Sequence, residues 1–139
     1  MARIKLGVYL SEKEHKLGPG KVRLLEAIGD CGSISAAARS MGMAYRHAWE
    51  LVDELNRCFA TPVVTMSVGG RDGGGAKLTP WGQELIDRFH RMEEATRRAI
   101  AGELDSIAHS VAAGAGQPRS SGQTQARKTP KKQGRGRHA

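Results

Sequence analysis

A mainly α-helical domain with a small β wing is the fold this chain predicts, and three stretches predict it. From Ser33 to Phe59 two helical patterns meet at a tight turn; Pro62 to Val68 and Leu78–Thr79 bracket a glycine-rich tip; and a long helical pattern opens at Pro80. Helix, turn, helix, ribbon and helix in that order make a winged helix-turn-helix, so double-stranded DNA is the leading ligand.

Taken from the amino terminus, Ile4, Leu6, Val8 and Leu10 alternate along Arg3 to Leu10. That is the period of a half-buried strand, which can pair at the edge of the wing or across a dimer. A turn at Gly18, Pro19 and Gly20 precedes a first helix over Lys21 to Ile28, with Val22, Leu25 and Ile28 inward. In the hairpin, Ser33 is placed to cap a helix whose Ala36, Ala37 and Ala38 allow close packing. Gly42 stands at the reversal, where a left-handed backbone is cheapest.

The second helix of the hairpin starts at about Ala44. Ala48, Leu51, Val52 and Leu55 recur at helical spacing, which leaves Tyr45, Arg46, His47 and Glu50 near the exposed amino-terminal end. A guanidinium there reaches either a phosphate or a guanine edge. Tyr45 has two readings, groove contact or packing on the core or wing; Trp49 follows the apolar face and is expected to pack, and His47 reads first as a solvated surface residue and only then as a groove contact. In the ribbon PVVTMSV-GGRDGGGAK-LT, the glycines bring Arg71 and Lys77 close to a phosphate backbone, although a plain solvent loop has the same composition. A phosphate-binding Walker loop is excluded, because Lys77 does not follow a glycine and is followed by Leu78 rather than Ser or Thr.

Thr79 caps, and Pro80 opens, a last helix expected to run from about residue 80 to 111. Its discontinuous apolar stripe is Leu85, Phe89, Met92, Thr96, Ala99, Leu104, Ile107 and Val111. A helix of that length spans roughly 45 Å, more than so small a domain can cover, so dimerisation through it is the economical expectation.

Composition bounds the rest. The chain of 139 residues is 39% hydrophobic, enough for one small core. Of its formal charge of +8, nearly all lies in the segment from Gln117 to Ala139, which has seven Lys or Arg and no Asp or Glu. That gives a folded domain over residues 1–112 and a basic tail over 113–139 whose few apolar residues cannot stabilise a fold. The tail reads as a neutral, solubilising extension or as a sequence-independent phosphate contact. Cys31 and Cys58 form no C-x-x-C pair and the five histidines are scattered, so no metal or cofactor is expected; the thiols are expected reduced and partly buried. No apolar run has membrane length and no signal-peptide core is present, which points to the cytoplasm. Neither a nucleophile–base pair nor a carboxylate pair emerges, so no enzyme is expected.

GSISAAARSMGMAYRHAWELVDELN followed by GGRDGGGAKLTPWGQELI closely resembles the amino-terminal DNA-binding domain of ModE-type molybdate-responsive transcriptional regulators, over about residues 20 to 90. The resemblance implies a dimeric winged helix, with a LysR-like helix-turn-helix, that binds an operator. It adds Ser35 and Ala44 to a candidate DNA-binding set otherwise made of Tyr45, Arg46, His47, Glu50, Arg71 and Lys77. The chain departs from that pattern at Ala44, where the family usually has a serine able to cap the recognition helix or touch phosphate, and at Trp81, where tyrosine is common; a lost cap costs about 1 kcal/mol. Full-length members sense the oxyanion with paired β-barrel domains, so this chain reads as the DNA-binding part, from which molybdate binding is not expected. The reading is a sequence-specific regulator acting on double-stranded DNA as a homodimer; an architectural DNA-binding protein with little sequence choice is the alternative.

Overall fold

In the computed structural model, residues 2–12, 15–67 and 74–112 are described. Two strands, β1 (Val8–Tyr9) and β2 (Lys16–Leu17), lead into α1 (Pro19–Cys31), α2 (Ile34–Ser40) and α3 (Tyr45–Cys58). The wing follows as β3 (Val64–Ser67) and β4 (Gly75–Leu78), then α4 (Pro80–Ala99) and α5 (Ala101–His109). The mainly helical winged helix-turn-helix is therefore as the sequence has it.

Local signals placed most element ends. The Ser33 hydroxyl accepts from the Ala36 amide at 3.0 Å, and the Thr79 hydroxyl accepts from the Gly82 amide at 2.9 Å. Gly32 (φ 79°) ends α1 and Gly42 (φ 67°) turns the chain between α2 and α3, both in the left-handed region where a Cβ is costly. Helix α1 begins at Pro19, two residues before the expected start, because a proline at the first helical position gives up only an amide hydrogen bond that the helix end lacks anyway.

The core gathers one face from each element. Val22, Leu25 and Ile28 of α1 are buried, joined by Leu24; Ala37 and Ala38 of α2 meet Ala48, Val52 and Leu55 of α3; Val63, Val64, Ala76, Leu85, Ile86 and Phe89 close it from the wing and α4. Small side chains at the α2–α3 contact let the two backbones approach, which fixes how far α3 stands out from the domain.

The wing is joined to the rest by a compact set of hydrogen bonds. Strands β3 and β4 pair antiparallel with Val64 opposite Leu78 and Ser67 opposite Gly75. The Asn56 carboxamide on α3 accepts from the Val63 amide at 2.8 Å and the Val64 amide at 3.3 Å, and donates to the Val64 carbonyl at 3.1 Å. The Ala76 amide donates to the Gly32 carbonyl at 2.9 Å, and the Thr79 amide to the Val63 carbonyl at 3.0 Å. Between helices, Lys21 of α1 and Glu54 of α3 pair at 2.9 Å.

Three expectations are corrected here. The amino-terminal segment forms only the short β1, which pairs with β2 as a hairpin rather than with the edge of the wing. Leu6, Val8 and Leu10 do pack against the core, as the alternation implied, while Ile4 stays exposed. The last helix is not continuous from 80 to 111: Ile100 (φ −110°, ψ 12°) interrupts it, closing α4 through its amide to the Thr96 carbonyl and opening α5 through its carbonyl. Gly102, a poor helix former, lies two residues beyond the break. Cys31 also proves exposed rather than partly buried, whereas Cys58 is partly covered, its sulfur 3.5 Å from His15 Nδ1.

Candidate nucleic-acid interface

The buried stripe of α3 dictates what its other side shows. With Ala48, Val52 and Leu55 turned inward, Tyr45, Arg46, His47, Trp49 and Glu50 are all exposed at the amino-terminal end. Ala44 is the residue before the helix, with extended backbone (ψ 142°) and no side-chain cap. Further along, Arg57 pairs with Asp53 at 2.7 Å, and Glu54 is taken by Lys21. Among the described residues, Arg46 has no ion pair, which leaves its guanidinium free for an external acceptor.

Two hollows flank this end of α3. One, of about 490 Å³, lies between the hairpin and the wing and is lined by Ser33, Ser35, Tyr45, Met66, Ser67 and Gly75 among others. The other, of about 480 Å³, is lined by Tyr45, Arg46 and Trp49. Tyr45 thus lines both hollows, with Ser35 in the first and Arg46 in the second, and Met66 and Trp49 join them, neither of which was in the candidate set. His47 and Glu50 are exposed on the same end of the helix but line neither hollow. Arg71 lies outside the described residues.

Lys77 is placed elsewhere. It is exposed at the base of the wing and lines a cleft of about 940 Å³ with Glu26 and Asp30 of α1 and Asp87 and His90 of α4. Carboxylates on that wall disfavour a phosphate backbone in this cleft. Trp49, expected to pack on the core or the wing, is 39% exposed. One step after Ala48 is a rotation of about 100°, which carries the ring off the buried stripe.

His90 couples α4 to α1 in that cleft, with Nε2 2.7 Å from Glu26 and Nδ1 3.0 Å from Glu93. Hydrogen bonding to Glu26 and then to Glu93 raises the imidazole pKa above its ordinary 6.5, against a smaller lowering from burial. A raised folded-state pKa means that the stabilisation is complete below 6.5 and is lost as pH rises through the folded value. Urea titrations from about pH 6 to about pH 8 should therefore show wild type losing stability relative to His90→Gln. Parallel curves would remove the linkage.

Residues 20–83 match the family model described as bacterial regulatory helix-turn-helix protein, lysR family. They form a LysR-type helix-turn-helix domain. The chain is 43% identical over 99 residues to the molybdenum-pterin-binding protein MopB of Rhodobacter capsulatus, covering 71% of this chain and 37% of that protein. To the DNA-binding transcriptional dual regulator ModE of Escherichia coli K12 it is 36% identical over 82 residues, covering 59% and 31%. To the transcriptional regulator ModE of Haemophilus influenzae it is 32% identical over 84 residues, covering 60% and 33%. The ModE-type resemblance of the hairpin and wing is thus matched by homologues, and the chain spans about a third of the length of these relatives. The LysR-type domain takes in α1, the α2–α3 hairpin and the wing, ending where α4 begins. Among the described residues no helix is long and apolar enough to cross a membrane.

Proposed function

We propose that this chain is a sequence-specific transcriptional regulator that binds double-stranded DNA as a homodimer. The observation that carries the reading is the amino end of α3, where Tyr45, Arg46, His47 and Glu50 are exposed beside the wing and Arg46 is unpaired among the described residues. A helix presented in this way fits a major groove with its first turns on the base edges, and Ser35 on α2 stands where the flanking backbone passes. Arg71 is the wing candidate for phosphate contact, and Lys77, which shares a cleft with Glu26, Asp30 and Asp87, is the weaker one. Sensing, which the relatives' names connect with molybdenum, is not assigned to these 139 residues, since the similarity covers about a third of each relative.

Dimerisation is supported by apolar surface at the far end of the domain. Met92, Ile107 and Val111 are exposed, and so is Ile4, which with Leu6, Thr96 and Leu104 lines a groove of about 550 Å³ between the amino-terminal segment and α4–α5. A second copy covering that surface would set two recognition helices on one face of the duplex, about 34 Å apart. Sedimentation at micromolar concentration should give twice the chain mass of 14.9 kDa. A species that remains monomeric on DNA overturns the paired arrangement. Selection from random duplexes tests the rest: a palindromic motif supports the regulator, whereas uniform recovery supports an architectural protein with little sequence choice.

A further inference from the structure

The amino end of α3 carries more apolar surface than a solvated helix requires. Tyr45 is 55% exposed, Trp49 39%, and Met66 on β3 44%. Tyr45 and Trp49 are four residues apart and so share one side of the helix, with Arg46 in the same hollow. Tyr45 also lines the hollow that holds Met66, so the apolar surface runs from the wing strand onto the recognition helix. Contiguous exposed apolar surface of this kind marks a binding face.

The occupant has to satisfy two chemistries at once. An apolar protein surface laid over this patch would desolvate Arg46 with no partner supplied, which is costly. The edge of a major groove offers apolar thymine C5 methyls alongside guanine and phosphate oxygen acceptors, so it covers the rings and pairs the guanidinium together.

We propose that Tyr45 and Trp49 read thymine methyl groups in the major groove, on either side of an acceptor held by Arg46. This inference rests on the DNA-binding reading above and adds the base chemistry that the half-site contains. Specificity at those positions then comes from the methyl group rather than from the hydrogen-bonding edge of the base. Met66 extends the same surface toward the flank of the site.

The test uses the full chain and an operator obtained by selection from random duplexes, resynthesised with deoxyuridine replacing each thymine in turn. That replacement deletes the methyl and leaves the hydrogen-bonding groups in place. Wild-type affinity should fall about threefold to fivefold at one or two positions per half-site, the worth of one methyl removed from an apolar contact. Trp49→Ala or Tyr45→Ala should bind the thymine and deoxyuridine operators equally at its own position, and Trp49→Phe should keep part of the preference. Selective binding by wild type that is indifferent to deoxyuridine everywhere overturns the proposal and leaves the sequence-specific reading standing; uniform recovery of sequences overturns both, in favour of an architectural DNA-binding protein. Should Trp49→Ala keep full deoxyuridine discrimination but halve the sedimenting mass, the patch is a contact between copies and the proposal falls.

Discussion

Gly82→Ala should destabilise the domain by about 3 kcal/mol or more, the upper range for forcing an extra carbon into a packed site. A Cβ at position 82 would lie 2.2 Å from the Val63 carbonyl oxygen and 3.1 Å from its carbon. That carbonyl cannot retreat cheaply. It accepts from the Thr79 amide at 3.0 Å, while the amides of Val63 and Val64 are both held by Asn56 of α3. Relieving the overlap would pull the first turn of α4 off the wing or strip the wing from the recognition helix. Gly20→Ala is the matched control: nothing lies within 4 Å of its Cβ, and alanine inside a helix gains about 0.5 to 1 kcal/mol over glycine. Urea unfolding of both variants decides the matter, and a Gly82→Ala protein within about 0.5 kcal/mol of wild type would show that the helix does not sit on that carbonyl.

That close approach was invisible in the sequence, and the reason separates what was legible from what was not. Ser33, Gly42, Thr79 and Pro80 act on backbone within a few residues, so their effects follow from local chemistry, and the structure has each where it was read. The spacing of Ala48, Val52 and Leu55 likewise settles which side of α3 is buried. Asn56 reads as an ordinary polar position on a helix, yet its carboxamide organises the start of the wing from seven and eight residues away. Trp49 was read onto the apolar face of α3, packing on the core or the wing, but one step past Ala48 the helix carries it off the buried stripe and leaves it exposed. The interruption at Ile100 has only Gly102 as a local cue, and the stripe of apolar residues continues across it, so periodicity alone joined α4 and α5 into one helix.

At the site, the same distinction separates Arg46 from Lys77. Both were read as DNA contacts from charge and position, and charge alone does not say which surface a cation shares. The structure sets Arg46 with two exposed aromatic rings and Lys77 beside the carboxylates of α1 and α4. A cation facing Glu26, Asp30 and Asp87 is already partly compensated, so its attraction to phosphate is weakened relative to one standing free.

Arg46→Ala should therefore act differently from removal of the basic residues at the carboxyl end. A guanidinium that reaches a base edge is worth about 1 to 3 kcal/mol of discrimination, so the variant should lose operator affinity by roughly 5- to 150-fold while random-sequence affinity changes little. Deleting residues 117–139 removes seven Lys or Arg and no acidic residue. If these touch phosphates, operator and random duplexes should weaken by similar factors, and the salt dependence should flatten because fewer counterions are released on binding. Binding isotherms for both proteins on both duplexes, at several salt concentrations, separate the roles. Equal losses on the two duplexes for Arg46→Ala would make Arg46 a phosphate contact, since the backbone is the same in both. Loss of operator preference on tail deletion alone would move specificity off α3, because only a contact that sees base edges can tell the duplexes apart.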